Sequence, residues 1–105
     1  MHSNTRDVDI AKNLKVIEWL KAELVSSVAA LLRAMVKGSE GLILDCITGI
    51  IITTYVLGKR LGIPFSRIDL NVKARLQDSA MKEHEVEKWF GDITGLRHYV
   101  EENRR

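Results

Sequence analysis

Proline and cysteine each occur once in this chain of 105 residues, and only six side chains are aromatic. With Cys46 alone, no intrachain disulfide can form, and the expected compartment is a reducing one. Neither charge sign is in marked excess. Sixteen basic residues against fourteen acidic ones give a net charge of +2, which offers no electrostatic case for nucleic acid. Behind the polar Met1–Arg6 segment there is no apolar core of a signal peptide, so a cytoplasmic location is expected. What the chain does have is apolar residues (46%) and charged residues (29%) in the proportions of a foldable soluble protein. Its length fits a single domain, residues 1–105, with a modest core.

The scarcity of breakers predicts an all-α chain, since no stretch reads as strand, turn and strand. From Arg6 or Asp7 nothing interrupts a helix before Gly38. Ile10, Leu14, Ile17, Leu24, Val28, Leu31 and Met35 fall at helical spacing and predict one apolar stripe, with Lys21 as the place for a bend or break. Lys37 followed by Gly38 suits a helix end, and Ser39 with Glu40 suits the start of the next. That second helix ends at Lys59-Arg60, with Gly62 as its C-cap and Pro64 barring continuation. Ser66 and Asp69 resemble a capping box for a third helix, Arg67 to about Met81, with Ile68, Val72 and Leu76 on one side. A short helix over Glu83–Phe90 should stop at Gly91, and Asp92 should cap a last helix, Ile93 to about Glu101, before a charged tail that frays.

The stretch Gly41–Gly58 is nearly long enough and apolar enough to cross a bilayer. Asp45 close to its start and Thr48, Thr53 and Thr54 within it argue instead for a helix buried on most sides by protein, because an intramembrane carboxylate is costly. No membrane role is expected.

Two runs carry a family likeness: Trp19 through Ala34 followed by Lys37-Gly38, and Ile43-Leu44-Asp45-Cys46-Ile47-Thr48-Gly49-Ile50-Ile51-Ile52. In length and punctuation they resemble the MazG-like family of all-α nucleoside triphosphate pyrophosphohydrolases. The likeness runs from Trp19 to about Ile63, a little under half the chain, and includes Tyr55 to Gly62. The later Glu83–Asp92 stretch is similar to the tail of a small bacterial branch of that family. The resemblance implies a MazG-like helical bundle, with a long helical hairpin and C-terminal helices. It also implies homodimers or tetramers.

In active members an E-E-x-x-E pattern on the first helix and E-x-x-D on the second hold magnesium and nucleotide phosphates. Carried onto this chain, those positions fall on Ser26, Ser27, Ala30, Cys46 and Gly49. Magnesium wants anionic oxygen ligands in near-octahedral geometry, which these side chains do not supply. All five are small, and their helical spacing predicts a tight seam in place of a metal chamber. Glu23 and Asp45 are the nearby acids that a displaced magnesium site would use, but acids are common at such surface positions, which favours a solvent-facing Glu23 and a first-turn Asp45 set by the helix dipole.

Two functions follow. One is a non-hydrolysing oligomeric module, cofactor-free, that binds a protein partner or a nucleotide. The other is a magnesium-dependent nucleoside triphosphate pyrophosphohydrolase with a displaced site. Ile47, Ile50, Ile51 and Thr54 are expected at a subunit interface, because the second helix has more apolar surface than one partner can cover. Cys46 reads as a structural thiol rather than a nucleophile, for want of a basic partner. His84, among Glu83, Glu85 and Glu87, reads as a solvated helix face rather than a metal site. Trp89 and Phe90 should pin the C-terminal segment to the core. Lys59, Arg60, Arg67, Lys73 and Arg75 form either a phosphate strip or ordinary soluble surface.

Overall fold

A computed structural model describes residues 2–103, apart from the side chains of residues 2–4, 79 and 80. Among the described residues there are six helices: α1 (His2–Lys37), α2 (Glu40–Arg60), α3 (Phe65–Leu76), α4 (Ser79–Lys82), α5 (Glu85–Phe90) and α6 (Asp92–Glu102). No strand occurs among the described residues. The chain divides into two compact units, residues 1–64 and 65–105.

The first unit is an antiparallel hairpin of α1 and α2. Its turn needs only Gly38 and Ser39. Gly38 takes φ 68°, a left-handed conformation that costs glycine little, and its N–H reaches back to the Ala34 carbonyl at 3.0 Å. The Ser39 hydroxyl oxygen then accepts from the Leu42 N–H at 3.4 Å, and Glu40 sits at the positive helix end. At the far end of α2, Gly62 (φ 92°) donates to the Lys59 carbonyl at 3.0 Å, and Ile63 donates to that of Gly58 at 2.9 Å. That pair of bonds is a Schellman closure with Gly62 just past the C-cap Leu61. Asn13 Nδ2 donates to the Arg60 carbonyl at 3.2 Å, tying α1 to an otherwise unpaired carbonyl of α2. Residues of α1 before Asn13 therefore overhang the end of α2.

α1 runs unbroken through Lys21, which pairs with Glu18 at 3.0 Å on the exposed side. The anticipated apolar stripe is only half right. The residues of α1 that lose exposure at alternating four and three spacing are Asn13, Ile17, Leu20, Leu24, Ser27, Leu31 and Ala34. Across from them lie Ile43, Cys46, Ile50, Thr53 and Leu57. Leu14, Val28 and Met35 are each one position further on and remain exposed, while Ile10 falls in the overhang. Ser27 and Ala34 fit the seam because small side chains allow the backbones to approach; apolarity alone could not reveal this.

Helix α2 also departs from expectation. By length and composition it could cross a bilayer, yet only Thr53 and Gly58 of its residues are buried. Within the chain it is covered along one side, by α1, and not on most sides.

In the second unit, α3 ends at Leu76, the one buried residue of the helix, because Gln77 and Asp78 close i→i−3 bonds onto Ala74 and Arg75. The Asp78 carbonyl then accepts from Met81 and Lys82 and starts the separate α4, so the third helix is shorter than expected. Helix α3 also begins at Phe65, directly after Pro64, which puts Ser66 inside the first turn rather than at a cap. His84 is exposed, but its Nδ1 accepts from the Val86 N–H at 3.1 Å and caps α5. Trp89 and Phe90 pack edge to face with ring centroids 6.4 Å apart, but they are 70% and 73% exposed. They do not pin this segment to a core: α5 has fewer than two turns, and Val86 and Glu87 are its less exposed side chains. The end of the charged tail, residues 104–105, lies outside the described residues.

Gly91 (φ 69°) serves at once as the C-cap of α5 and the N-cap of α6, leaving Asp92 inside the helix. The capping role passes to Glu87. Its carboxylate accepts from the Thr94 N–H at 3.0 Å and also from the Thr94 hydroxyl. The Thr94 hydroxyl, then the Thr94 and Ile93 N–H groups and the charge of Arg97, hold the Glu87 carboxyl below its ordinary value. Because the folded value is lowered, the stabilisation is complete above the ordinary glutamate range and is lost as pH falls through the folded value. Acid titration should therefore release the Thr94 amide, followed by its chemical shift and exchange rate, later than an unbonded glutamate would titrate. Glu87→Gln should remove that inflection.

Candidate functional site

The seam divides the hairpin surface into two faces. Positions one residue after a seam residue lie on the same side for both helices, because the helices are antiparallel and the offset is the same. That face carries Leu14, Val28, Leu32 and Met35 of α1 and Leu44, Ile47, Ile51 and Thr54 of α2, all exposed. Positions one residue before the seam form the opposite face, with Glu23, Ser26, Ala30 and Arg33 on α1, Asp45 and Gly49 on α2, and the exposed apolar Val16, Trp19, Leu42 and Ile52 among them.

Ser26, Ser27, Ala30, Cys46 and Gly49 meet in the seam and on this second face. A Cβ built on Gly49 would lie 3.9 Å from Ser27 Oγ, an ordinary contact distance, so the helices are close together here without being jammed. Ser26 is exposed, while Ala30 and Cys46 are half-buried. Gly49→Ala should therefore fit and should stabilise the hairpin by about 0.5–1 kcal/mol, the helical cost of glycine, as read from a urea midpoint at unchanged slope.

Toward the turn from Ser27 and Gly49 the seam opens. A cleft of about 150 Å³ lies between the helices, lined by Ala30, Arg33, Ala34, Lys37, Leu42 and Cys46. No histidine lines the cleft beside the thiol. Arg33 and Lys37 are cleft residues that the sequence reading did not assign to a site. The signal was present, since they share a helix edge with Ala30 and Ala34 at spacings of three and four.

Glu23 and Asp45 share a face but are not brought together. With Ser27 opposite Gly49, Asp45 lies level with Leu31, eight residues from Glu23, or about 12 Å along the axis. Among the described residues, no three His, Cys, Asp or Glu side chains are grouped to hold a metal ion. Two hydroxyls, a methyl, a thiol and a hydrogen do not fit magnesium. Of the subunit-contact candidates, Ile47, Ile51 and Thr54 lie on the apolar face, and Ile50 turns toward the seam. The Thr54 hydroxyl donates to the Ile50 and Ile51 carbonyls at 2.8 and 2.9 Å, so its donor is already satisfied. The five basic candidates are split between units, Lys59 and Arg60 in one and Arg67, Lys73 and Arg75 in the other.

The fold is all-α, built on a long antiparallel hairpin whose two helices meet along a seam of leucines and isoleucines interrupted by the smaller Ser27, Ala34, Cys46 and Thr53. The family model of the MazG-like family matches residues 10–93, and the chain belongs to that family. No curated protein and no solved structure matches it.

Proposed function

We propose that this protein is a catalytically degenerate MazG-like protein, a cytoplasmic, non-hydrolysing oligomeric module that binds or regulates a partner. The observation that carries the reading is the chemistry of Ser26, Ser27, Ala30, Cys46 and Gly49, which offers no carboxylate where magnesium and phosphate would be held. Phosphoryl chemistry relies on placed charge, and Glu23 and Asp45 stand about 12 Å apart along the hairpin, too far to share one ion. The exposed Leu44, Ile47 and Ile51 beside Val28, Leu32 and Met35 support assembly through the face opposite the cleft, as homodimer or tetramer.

Pyrophosphate release from a panel of nucleoside triphosphates, with magnesium or manganese, is the test. No release above the protein-free blank is expected with any nucleotide. Turnover that disappears in Glu23→Gln or Asp45→Asn would instead establish a pyrophosphohydrolase with a displaced metal site.

A further inference from the structure

We propose that the cleft between Arg33–Lys37 of α1 and Leu42–Cys46 of α2 is a metal-independent site for a small organic anion, a short carboxylate or phosphate ester. This rests on the reading of the chain as a non-hydrolysing binding module and names the chemistry it would bind. Arg33 and Lys37 are four residues apart, so their charged ends share one edge of the opening. Neither has an ion-pair partner among the described residues, and no carboxylate lines the cleft. The remaining lining, Ala30, Ala34, Leu42 and Cys46, is apolar apart from the thiol.

Such a cleft repels a divalent cation and attracts an anion. The guanidinium can take two oxygens of a carboxylate or phosphate in parallel, with the ammonium as a second point charge. Size narrows the choice. A cleft of about 150 Å³ is small beside the roughly 300–1,000 Å³ of pockets that enclose drug-sized ligands, which suits an anionic head with a short apolar body. The cleft also lies on the face opposite Ile47 and Ile51, so assembly through that apolar face leaves it open.

Cys46, the only cysteine, lines the cleft and reports on it. Alkylation rates with iodoacetate, an anion, and iodoacetamide, its neutral analogue, would be measured in EDTA. Their ratio cancels the reactivity of the thiol itself. In the folded full-length protein, the ratio should exceed that of the urea-unfolded chain by about fivefold at low salt, and it should fall as salt is raised. The double substitution Arg33→Gln with Lys37→Gln should bring it down to the unfolded value. Lys12→Gln with Lys15→Gln, which removes the same charge elsewhere on α1, should leave it unchanged. Inorganic phosphate should slow both reagents saturably without magnesium. Equal ratios in the wild type and the Arg33/Lys37 variant, or phosphate protection that requires magnesium, would overturn the site. Nucleotide turnover in the separate pyrophosphate assay would overturn the non-hydrolysing reading and leave the alkylation result to stand by itself.

Discussion

If the chain assembles through the flank of α2 as proposed, Ile47→Glu combined with Ile51→Glu should dissociate the oligomer. Both side chains are exposed on the flank of α2, about one turn apart, beside Leu44 and facing the same way as Val28, Leu32 and Met35 of α1. Burying an isoleucine contributes roughly 1.5–3 kcal/mol, and a glutamate at the same place must be desolvated as well. Two such changes should weaken association by at least about 3 kcal/mol, more than a hundredfold in dissociation constant, as read by sedimentation or light scattering. Ile52 gives the matched control. It is just as exposed but lies on the opposite face, so Ile52→Glu should leave the assembly intact. A wild-type protein that is a monodisperse monomer at micromolar concentration would remove the basis for this assembly.

The second large effect comes from restoring the acids. Ser26→Glu, Ser27→Glu, Ala30→Glu, Cys46→Glu and Gly49→Asp together would place five carboxylates in the seam and on the face beside it, where even a Cβ at Gly49 would meet Ser27 Oγ at 3.9 Å. Without a counter-ion, the burial and mutual repulsion of these charges should cost about 3 kcal/mol or more. At roughly 4–8 °C per kcal/mol for a domain of this size, Tm in EDTA should drop by at least about 12 °C. Millimolar magnesium should recover much of that loss, because an ion bound only by the folded state stabilises it. The natural chain should show almost the same Tm with and without magnesium. A strong magnesium-dependent rise in the natural chain would mean that a metal site persists.

The features that could be read from the sequence are those decided within a few residues. Gly38, Ser39, Gly62 and Gly91 announce the helix ends because a left-handed backbone or a hydroxyl cap is a local requirement. Family spacing also pointed to Ser27 and Gly49, which face each other across the hairpin. What could not be read was the partner of each face. α1 has apolar residues over an arc wide enough for two stripes, and only the approach of α2 shows that Leu20, Ser27 and Ala34 are inside while Leu14, Val28 and Met35 are not. The same limit hid the cap that Glu87 lends to α6, which depends on the bend at Gly91. It also hid the exposure of Trp89 and Phe90, since aromatic residues say how much surface they could bury but not whether a neighbour arrives to bury it.

The two-residue turn at Gly38-Ser39 also sets an order of assembly. Ala34 and Ile43 are nine positions apart along the chain, whereas Asn13 and Arg60 are separated by 47. Each pair nearer the open end becomes inexpensive in loop entropy only once the pair before it has closed. The hairpin therefore zips from its turn outward, and the Asn13 amide fastens the last tooth. Opening runs the other way: the Arg33–Lys37 end, beside the turn, is the last part of the hairpin to come apart.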